Sequence, residues 1–108
     1  MKVLVNEQQY GQLELSFAQS LVRTIAQTLQ ESGIDSDLLP QLTEAVSFNV
    51  GALIDGCYPL SFEGKPLYPV LTYSLQEVGL EQEFLVVSSG VTSDIHTKCV
   101  GGVQNEAP

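Results

Sequence analysis

The chain has 108 residues, 44% of them hydrophobic, and this composition predicts one folded domain rather than a disordered or low-complexity segment. Four basic and thirteen acidic side chains leave a net charge of −9. Such a balance argues against binding to nucleic acid or to anionic lipid, because both are held mainly by lysine and arginine. We therefore expect an acidic protein that binds neither nucleic acid nor membrane.

The number of cysteines and the length of the apolar stretches indicate where the protein resides. The two cysteines, Cys57 and Cys99, are too few for the disulfide framework of a small secreted domain. The first residues lack the apolar centre of a signal peptide, and no stretch approaches the roughly 20 residues of a membrane-spanning helix. We predict a cytoplasmic protein in which residues 1–100 form a single α+β domain and residues 101–108 form a flexible tail.

The N-terminal part is predicted to contain a hairpin and then a helix. Residues 2–6 are β-branched and apolar, and residues 12–16 alternate apolar with polar side chains, so the two segments favour an antiparallel pair. From residue 17 to about residue 31, apolar side chains recur at helical spacing. Ser16 is the predicted N-terminal cap of this helix, and Gly33 predicts a Schellman motif at its C-terminus.

A second helix is predicted to begin near Leu38 and to end at Gly56. Residues 35–37 offer an N-cap, and Pro40 is compatible with the first turn, where its missing N–H has no helical acceptor. The apolar stripe expected to face the core consists of Leu39, Leu42, Val46, Asn49, Val50 and Leu53.

Strand patterns follow the second helix. They cover residues 58–62, 67–75, 84–88 and 95–100. A turn at Glu63 and Gly64 separates the first two, and Pro69 places residues 67–75 at a sheet edge or divides them. The predicted fold is therefore α+β, with two consecutive helices packed on one face of a small, mostly antiparallel β-sheet.

Residues 94–99 (DIHTKC) bring a carboxylate, an imidazole and a thiol together in the sequence. As a strand, this segment places Asp94 and His96 on one face and Cys99 on the other, so imidazole and thiol do not act together. A turn would bring them together, but zinc sites usually combine four ligands at paired spacings. We predict no metal, no cofactor and no catalytic residue; a zinc site or a Cys/His nucleophile is the alternative.

A second candidate site is a ligand pocket formed by Asn49, Tyr73 and His96. Asn49 is an amide within the predicted apolar stripe, where its donors and acceptor need partners. It either orients a ligand at the base of a pocket or bonds to neighbouring backbone.

Phe48, Gly51 and Ala52 are the candidate contact residues for a second subunit. Phe48 is an aromatic residue on the predicted polar side of the second helix, and two small residues lie near it. The predicted edge strand also invites pairing between chains. These features favour a homodimer.

The favoured functional hypothesis is a non-enzymatic protein-interaction or regulatory domain. Its acidic surface would meet a protein partner with a basic surface. The alternative is a small enzyme or ligand-binding domain with a pocket between helices and sheet. A deep cavity in which Asn49 and His96 converge would favour this alternative.

Overall fold

The computed structural model describes residues 2–77, 84–90 and 92–100, and in these ranges the chain forms three helices and four short strands. In chain order the elements are β1 (Lys2–Val5), α1 (Glu7–Glu31), α2 (Leu39–Ile54), β2 (Leu60–Phe62), β3 (Lys65–Leu67), β4 (Phe84–Val87) and α3 (Ile95–Lys98). The predicted mixed α+β composition is confirmed. The predicted tail, residues 101–108, lies outside the described residues. Nowhere in the described ranges is a helix both long and apolar enough to cross a membrane.

The strands form two separate pairs instead of the predicted, mostly antiparallel sheet. β1 pairs with β4 in parallel, with Lys2 opposite Phe84. β2 and β3 form an antiparallel hairpin around Glu63 and Gly64, whose φ angles of 50° and 78° are positive at both central positions, as in a type I′ turn. The turn is therefore where the sequence predicts it, whereas one of the two strand pairs is parallel and not antiparallel.

The predicted edge strand over residues 67–75 is interrupted. β3 ends at Leu67, and the chain returns to the sheet only at Tyr73, which forms an isolated antiparallel bridge with Val86 of β4. Pro69 has no N–H to donate to a strand ladder, so the interruption follows from the sequence.

Residues 12–16 lie inside α1, so the predicted N-terminal hairpin is wrong. Asn6 caps the helix, because its side-chain Oδ1 accepts the backbone N–H of Gln9 at 3.0 Å. Ser16, the predicted cap, is an interior helical residue. The side chains that α1 buries recur every four residues and are Tyr10, Glu14, Ala18 and Val22. This four-residue spacing of a helix extends over many more residues than the strand-like alternation of residues 12–16. The segment therefore folds as a helix.

The predicted Schellman motif ends α1. Gly33 has a φ angle of 85°, and the backbone N–H groups of Gly33 and Ile34 donate to the carbonyls of Gln30 and Leu29 at 3.1 and 3.2 Å. The left-handed conformation of Gly33 is what reverses the chain after the helix.

Replacing Gly33 with alanine is expected to lower the free energy of unfolding by about 1 kcal/mol, because a Cβ is disfavoured in the left-handed region. A Cβ placed there meets no atom within 4 Å, so backbone conformation is the whole effect. Urea unfolding measures it, and an unchanged midpoint for Gly33→Ala would contradict this account of the helix end.

α2 packs through small residues rather than through the predicted apolar stripe. Pro40 lies in the first turn as predicted, but the N-cap residue Leu38 makes no side-chain cap, so residues 35–37 do not cap the helix. Of the predicted stripe, Val46 and Leu53 are 38% and 45% exposed. The residues that α2 buries instead are Thr43, Ser47, Gly51 and Ala52. Small side chains permit a close approach of backbones, which larger residues would prevent.

The core lies where α3 meets the two long helices. Its fully buried members are Ala18 and Val22 of α1, Ile95 of α3 and Cys99 immediately after α3. Residues 95–98 form one helical turn that packs against both α1 and α2, so the predicted strand over residues 95–100 is wrong. This turn brings the candidate residues around His96 against the C-terminal end of α2 and the middle of α1.

Candidate functional site

Asp55 is a buried carboxylate at the C-terminal end of α2. The helix ends in a second Schellman motif, in which Gly56 has a φ angle of 78° and the N–H of Cys57 donates to the carbonyl of Ala52 at 2.9 Å. Asp55 is the C-cap residue, and only 1% of its side chain is exposed. Because a helix C-terminus carries partial negative charge, a carboxylate there needs donors from elsewhere in the chain.

Residues 93–96 supply those donors. The Ser93 hydroxyl donates to Asp55 Oδ1 at 2.5 Å, and the backbone N–H of His96 donates to Oδ2 at 2.8 Å. His96 Nδ1 also lies 2.5 Å from Oδ2. Burial by itself would raise the pKa of Asp55, but the hydrogen bonds from Ser93 and His96 outweigh it and hold the pKa below its ordinary value. Asp55 is thus an ionised anchor for the chain that enters α3.

Glu14 anchors the same segment from α1. The residue is only 4% exposed, its Oε2 accepts the backbone N–H of Asp94 at 2.8 Å, and its Oε1 lies 2.7 Å from Nζ of Lys98. A buried carboxylate is stable only when such partners compensate its lost hydration. One carboxylate from each long helix therefore holds the segment that carries His96.

His96 has two further polar neighbours. Its Nδ1 lies 3.6 Å from Asp94 Oδ1 and 3.8 Å from Cys57 Sγ, and its ring meets the ring of Phe48 edge-on at a centroid distance of 5.3 Å. The imidazole is 23% exposed. Asp94 and His96 are thus neighbours, although in a helical turn and not on the predicted strand face, and the thiol beside them is Cys57, whereas Cys99 lies in the core.

Asn49 does not meet His96 in a cavity. Its Nδ2 donates to the carbonyl of Ala45 at 2.9 Å, and its Oδ1 accepts the Tyr58 hydroxyl at 2.5 Å. It borders an open surface depression of about 560 Å³ together with Phe48, and His96 is not among the described residues that line this depression. The amide thus bonds to neighbouring backbone, which is one of the two roles that the sequence allows.

Tyr73, the third predicted pocket residue, packs inside the protein. Its ring lies 5.1 Å from that of Tyr10 and 6.2 Å from that of Phe17, centroid to centroid. Its hydroxyl is buried without a hydrogen-bond partner in the described part of the chain, and burial, followed by the nearby Tyr10 and Glu14, raises its pKa. Tyr73 therefore belongs to the packing around β4, and the three predicted pocket residues occupy separate places.

Gly51 and Ala52 are buried, so two of the three predicted contact residues do not face a second subunit. A Cβ on Gly51 would lie 2.9 Å from the backbone N and Cα of His96, because α3 crosses α2 at this point. Phe48 is 38% exposed, so of the three predicted contact residues it is the one that lies at the surface.

The sequence analysis missed Glu14 and Asp55 as the residues that organise this region. Glu14 carried one indication, since it follows Tyr10 and precedes Ala18 at four-residue spacing on the side of α1 that is otherwise apolar. Asp55 carried another, since it immediately precedes a helix-ending glycine, where a carboxylate is electrostatically unfavourable.

We expect one reactive thiol per native chain. Cys99 is fully buried, and burial, followed by the charge of Asp55, raises its pKa to about 11, whereas Cys57 is exposed. Titration with an aromatic disulfide reagent should count one thiol in buffer and two in denaturant, and none in native Cys57→Ser. Rapid modification of both thiols in the native protein would contradict the burial of Cys99.

A group of exposed apolar side chains lies on residues 58–70. We name it the hairpin surface, and its members are Tyr58, Phe62, Leu67, Tyr68 and Val70. Their exposed fractions range from 42% for Tyr58 to 77% for Tyr68. Three of them also line an open depression of about 380 Å³ with Pro59 and Pro66.

Comparisons of the chain with protein-family models, with curated proteins and with solved structures found no match. Two features of the molecule are candidate functional sites. One is the carboxylate-anchored segment around His96, and the other is the hairpin surface.

Proposed function

We propose that the protein is a non-enzymatic interaction domain that binds a basic protein partner through the hairpin surface. The observation that carries this proposal is the exposure of large apolar side chains on one short hairpin, with Phe62 at 66% and Tyr68 at 77%. Single exposed apolar residues are ordinary on protein surfaces, whereas several on one short segment, three of them around a depression, suit a binding surface.

The residue types on the hairpin surface suit protein recognition. Tyrosine and phenylalanine are enriched at protein interfaces, because a rigid ring buries much apolar area and loses little side-chain entropy. The Tyr68 hydroxyl adds a polar group at the ring edge. A partner that covers Phe62 and Tyr68 would therefore gain most of its binding energy from these rings.

The hairpin is held to α2 in a way that fixes its orientation. The Tyr58 hydroxyl donates to Asn49 Oδ1 at 2.5 Å, and Pro69 packs beside Gly56, where a Cβ would lie 3.4 Å from its ring. A surface that is ordered before binding loses less entropy when the partner arrives.

The charge of the chain supports a basic partner. A net charge of −9 attracts positively charged surfaces and repels acidic ones, which raises the rate of encounter with basic proteins. It also opposes association between two copies of this chain, so a different protein is the better fit than a homodimer. The cytoplasmic location predicted from the cysteines is part of the same proposal.

Affinity capture with three immobilised versions of the full chain tests the proposal. These are the wild-type protein, the double variant Phe62→Ser/Tyr68→Ser, and the matched control Val3→Ser, whose apolar side chain is 62% exposed on β1. We expect the same basic proteins to be retained by the wild type and by Val3→Ser, to be lost from the double variant, and to elute with salt.

Identical captured proteins on all three versions would show that the hairpin surface is not the binding surface. Retention of acidic proteins would contradict the role of charge. Light scattering tests whether the partner is a second copy of the chain. A dimeric wild type together with a monomeric double variant would identify such a partner and would also overturn the proposal.

A further inference from the structure

We propose that His96, Asp94, Cys57 and Asp55 form a binding site for one zinc ion. This site is separate from the hairpin surface. It reverses the sequence-based prediction of no metal, which depended on a strand at residues 95–100 that would place His96 and Cys99 on opposite faces.

Three polar groups converge on one atom, Nδ1 of His96. Oδ2 of Asp55 lies 2.5 Å away, Oδ1 of Asp94 lies 3.6 Å away and Sγ of Cys57 lies 3.8 Å away. A ring nitrogen carries at most one hydrogen, and the short contact with Asp55 uses it. Oδ2 of Asp94 accepts the Thr97 hydroxyl at 2.6 Å and lies 3.9 Å from Lys98 Nζ, which leaves Oδ1 facing Nδ1. Oδ1 of Asp94 and Sγ of Cys57 therefore lie beside Nδ1 as two further atoms that can bind a cation.

Two of the distances from Nδ1 of His96 match a zinc site. Zinc binds imidazole nitrogen and carboxylate oxygen at about 2.0–2.2 Å and thiolate sulfur at about 2.3 Å, so the ligand atoms of a tetrahedral site lie about 3.3–3.8 Å apart. The 3.6 Å and 3.8 Å distances from Nδ1 agree with this spacing. The ligand atoms of Asp55, Asp94 and His96 also lie within 4.8 Å of one another, whereas Sγ of Cys57 lies farther than this from at least one of the two carboxylates and must approach it when the ion binds.

The ligand types distinguish zinc from the commoner divalent ions. Magnesium and calcium prefer oxygen ligands alone, whereas a set with thiolate and imidazole selects zinc and its transition-metal neighbours. Solvent reaches the site, because Cys57 is exposed and the imidazole is 23% exposed. The net charge of −9 further favours a cation.

Binding requires two local rearrangements, of which the approach of Cys57 Sγ to the carboxylates is one, and it releases one proton. The contact between Nδ1 and Asp55 Oδ2 must open by about 1 Å to reach the ligand spacing of a tetrahedral site. With a neutral imidazole, its hydrogen then passes through solvent from Nδ1 to Nε2, and the Cys57 thiol loses its proton to the buffer as sulfur binds the ion. Asp55 keeps its hydrogen bonds from Ser93 and from the His96 backbone, so the segment stays anchored. No group is oxidised or reduced.

Isothermal titration calorimetry of the metal-stripped full chain with zinc chloride tests the site. We expect one ion per chain with a dissociation constant in the micromolar range or below, and no saturable binding of magnesium. Cys57→Ser and His96→Ala should each weaken zinc binding at least about tenfold. The matched control Asp37→Asn, an exposed acid remote from these ligands in the sequence, should leave it unchanged.

Cobalt provides a readout that does not depend on folding stability. Cobalt bound to the wild type should show a thiolate-to-metal absorption band that Cys57→Ser lacks. Absence of saturable zinc binding by the folded wild type would overturn the proposal. Zinc binding that neither Cys57→Ser nor His96→Ala weakens would overturn it as well, because the ion would then lie elsewhere.

Discussion

Replacing Gly51 with alanine is expected to lower the free energy of unfolding by about 1–3 kcal/mol, because it overpacks the contact between α2 and α3. The new Cβ would lie 2.9 Å from the backbone N and Cα of His96 and 3.1 Å from Cγ2 of Ile95. Backbone atoms cannot rotate away as a flexible side chain can, so α3 must move off α2. The better helix propensity of alanine, about 1 kcal/mol, offsets part of the loss.

Gly11→Ala is the matched control for this prediction. Gly11 also lies inside a long helix, but a Cβ there meets no atom within 4 Å. Its replacement should therefore stabilise the protein by up to about 1 kcal/mol through propensity alone. Urea unfolding of the two variants measures the contrast. If both variants were stabilised equally, the close contact between Gly51 and the His96 backbone would not exist.

Replacing Asp55 with alanine is expected to cost about 3 kcal/mol, since hydrogen bonds to a buried charge are among the strongest and their loss leaves partners unsatisfied. The Ser93 hydroxyl and the backbone N–H of His96 would both lose their acceptor. Asp37→Ala, at an exposed acid before α2, should change stability by less than about 0.5 kcal/mol. A loss for Asp55→Ala no larger than for Asp37→Ala would contradict the anchoring role.

The pH dependence of unfolding tests the same carboxylate without removing its bulk. Because the pKa of Asp55 is lower in the folded chain than in the unfolded chain, the unfolded chain binds more protons as the pH falls below about 4. The stabilisation that ionised Asp55 provides is therefore complete above that pH and is lost as the pH falls through the folded-state pKa. Asp55→Asn should lose less stability than the wild type over this acidic range. Equal losses in the two proteins would contradict the lowered pKa.

The local features of this fold could be read from the sequence. Gly33 and Gly56 end their helices as predicted, and the turn at Glu63 and Gly64 joins two strands as predicted. Each of these features depends on the backbone preferences of one or two residues and their immediate neighbours. For this reason these features do not depend on the tertiary contacts of the rest of the chain.

The contacts between distant parts of the chain could not be read in the same way. β1 pairs in parallel with β4, which follows at the other end of the described chain, and no local pattern specifies such a pairing. Residues 95–98 alternate like a strand, yet they form a helical turn because Glu14 and Asp55 accept the backbone N–H groups of Asp94 and His96. The candidate site was therefore predicted in part: His96 and Asp94 were named, but their buried partners became visible only with the fold.

Amide hydrogen exchange of the full chain, alone and with the captured basic partner, tests the proposed function most directly. If the partner binds the hairpin surface, the amides of residues 58–70 should exchange more slowly in the complex, while those of residues 92–100 should not change. The structure describes both segments, and each is an internal control for the other in the same experiment. Slower exchange at residues 92–100 without any change at residues 58–70 would contradict the account and would move the binding surface to the segment around His96.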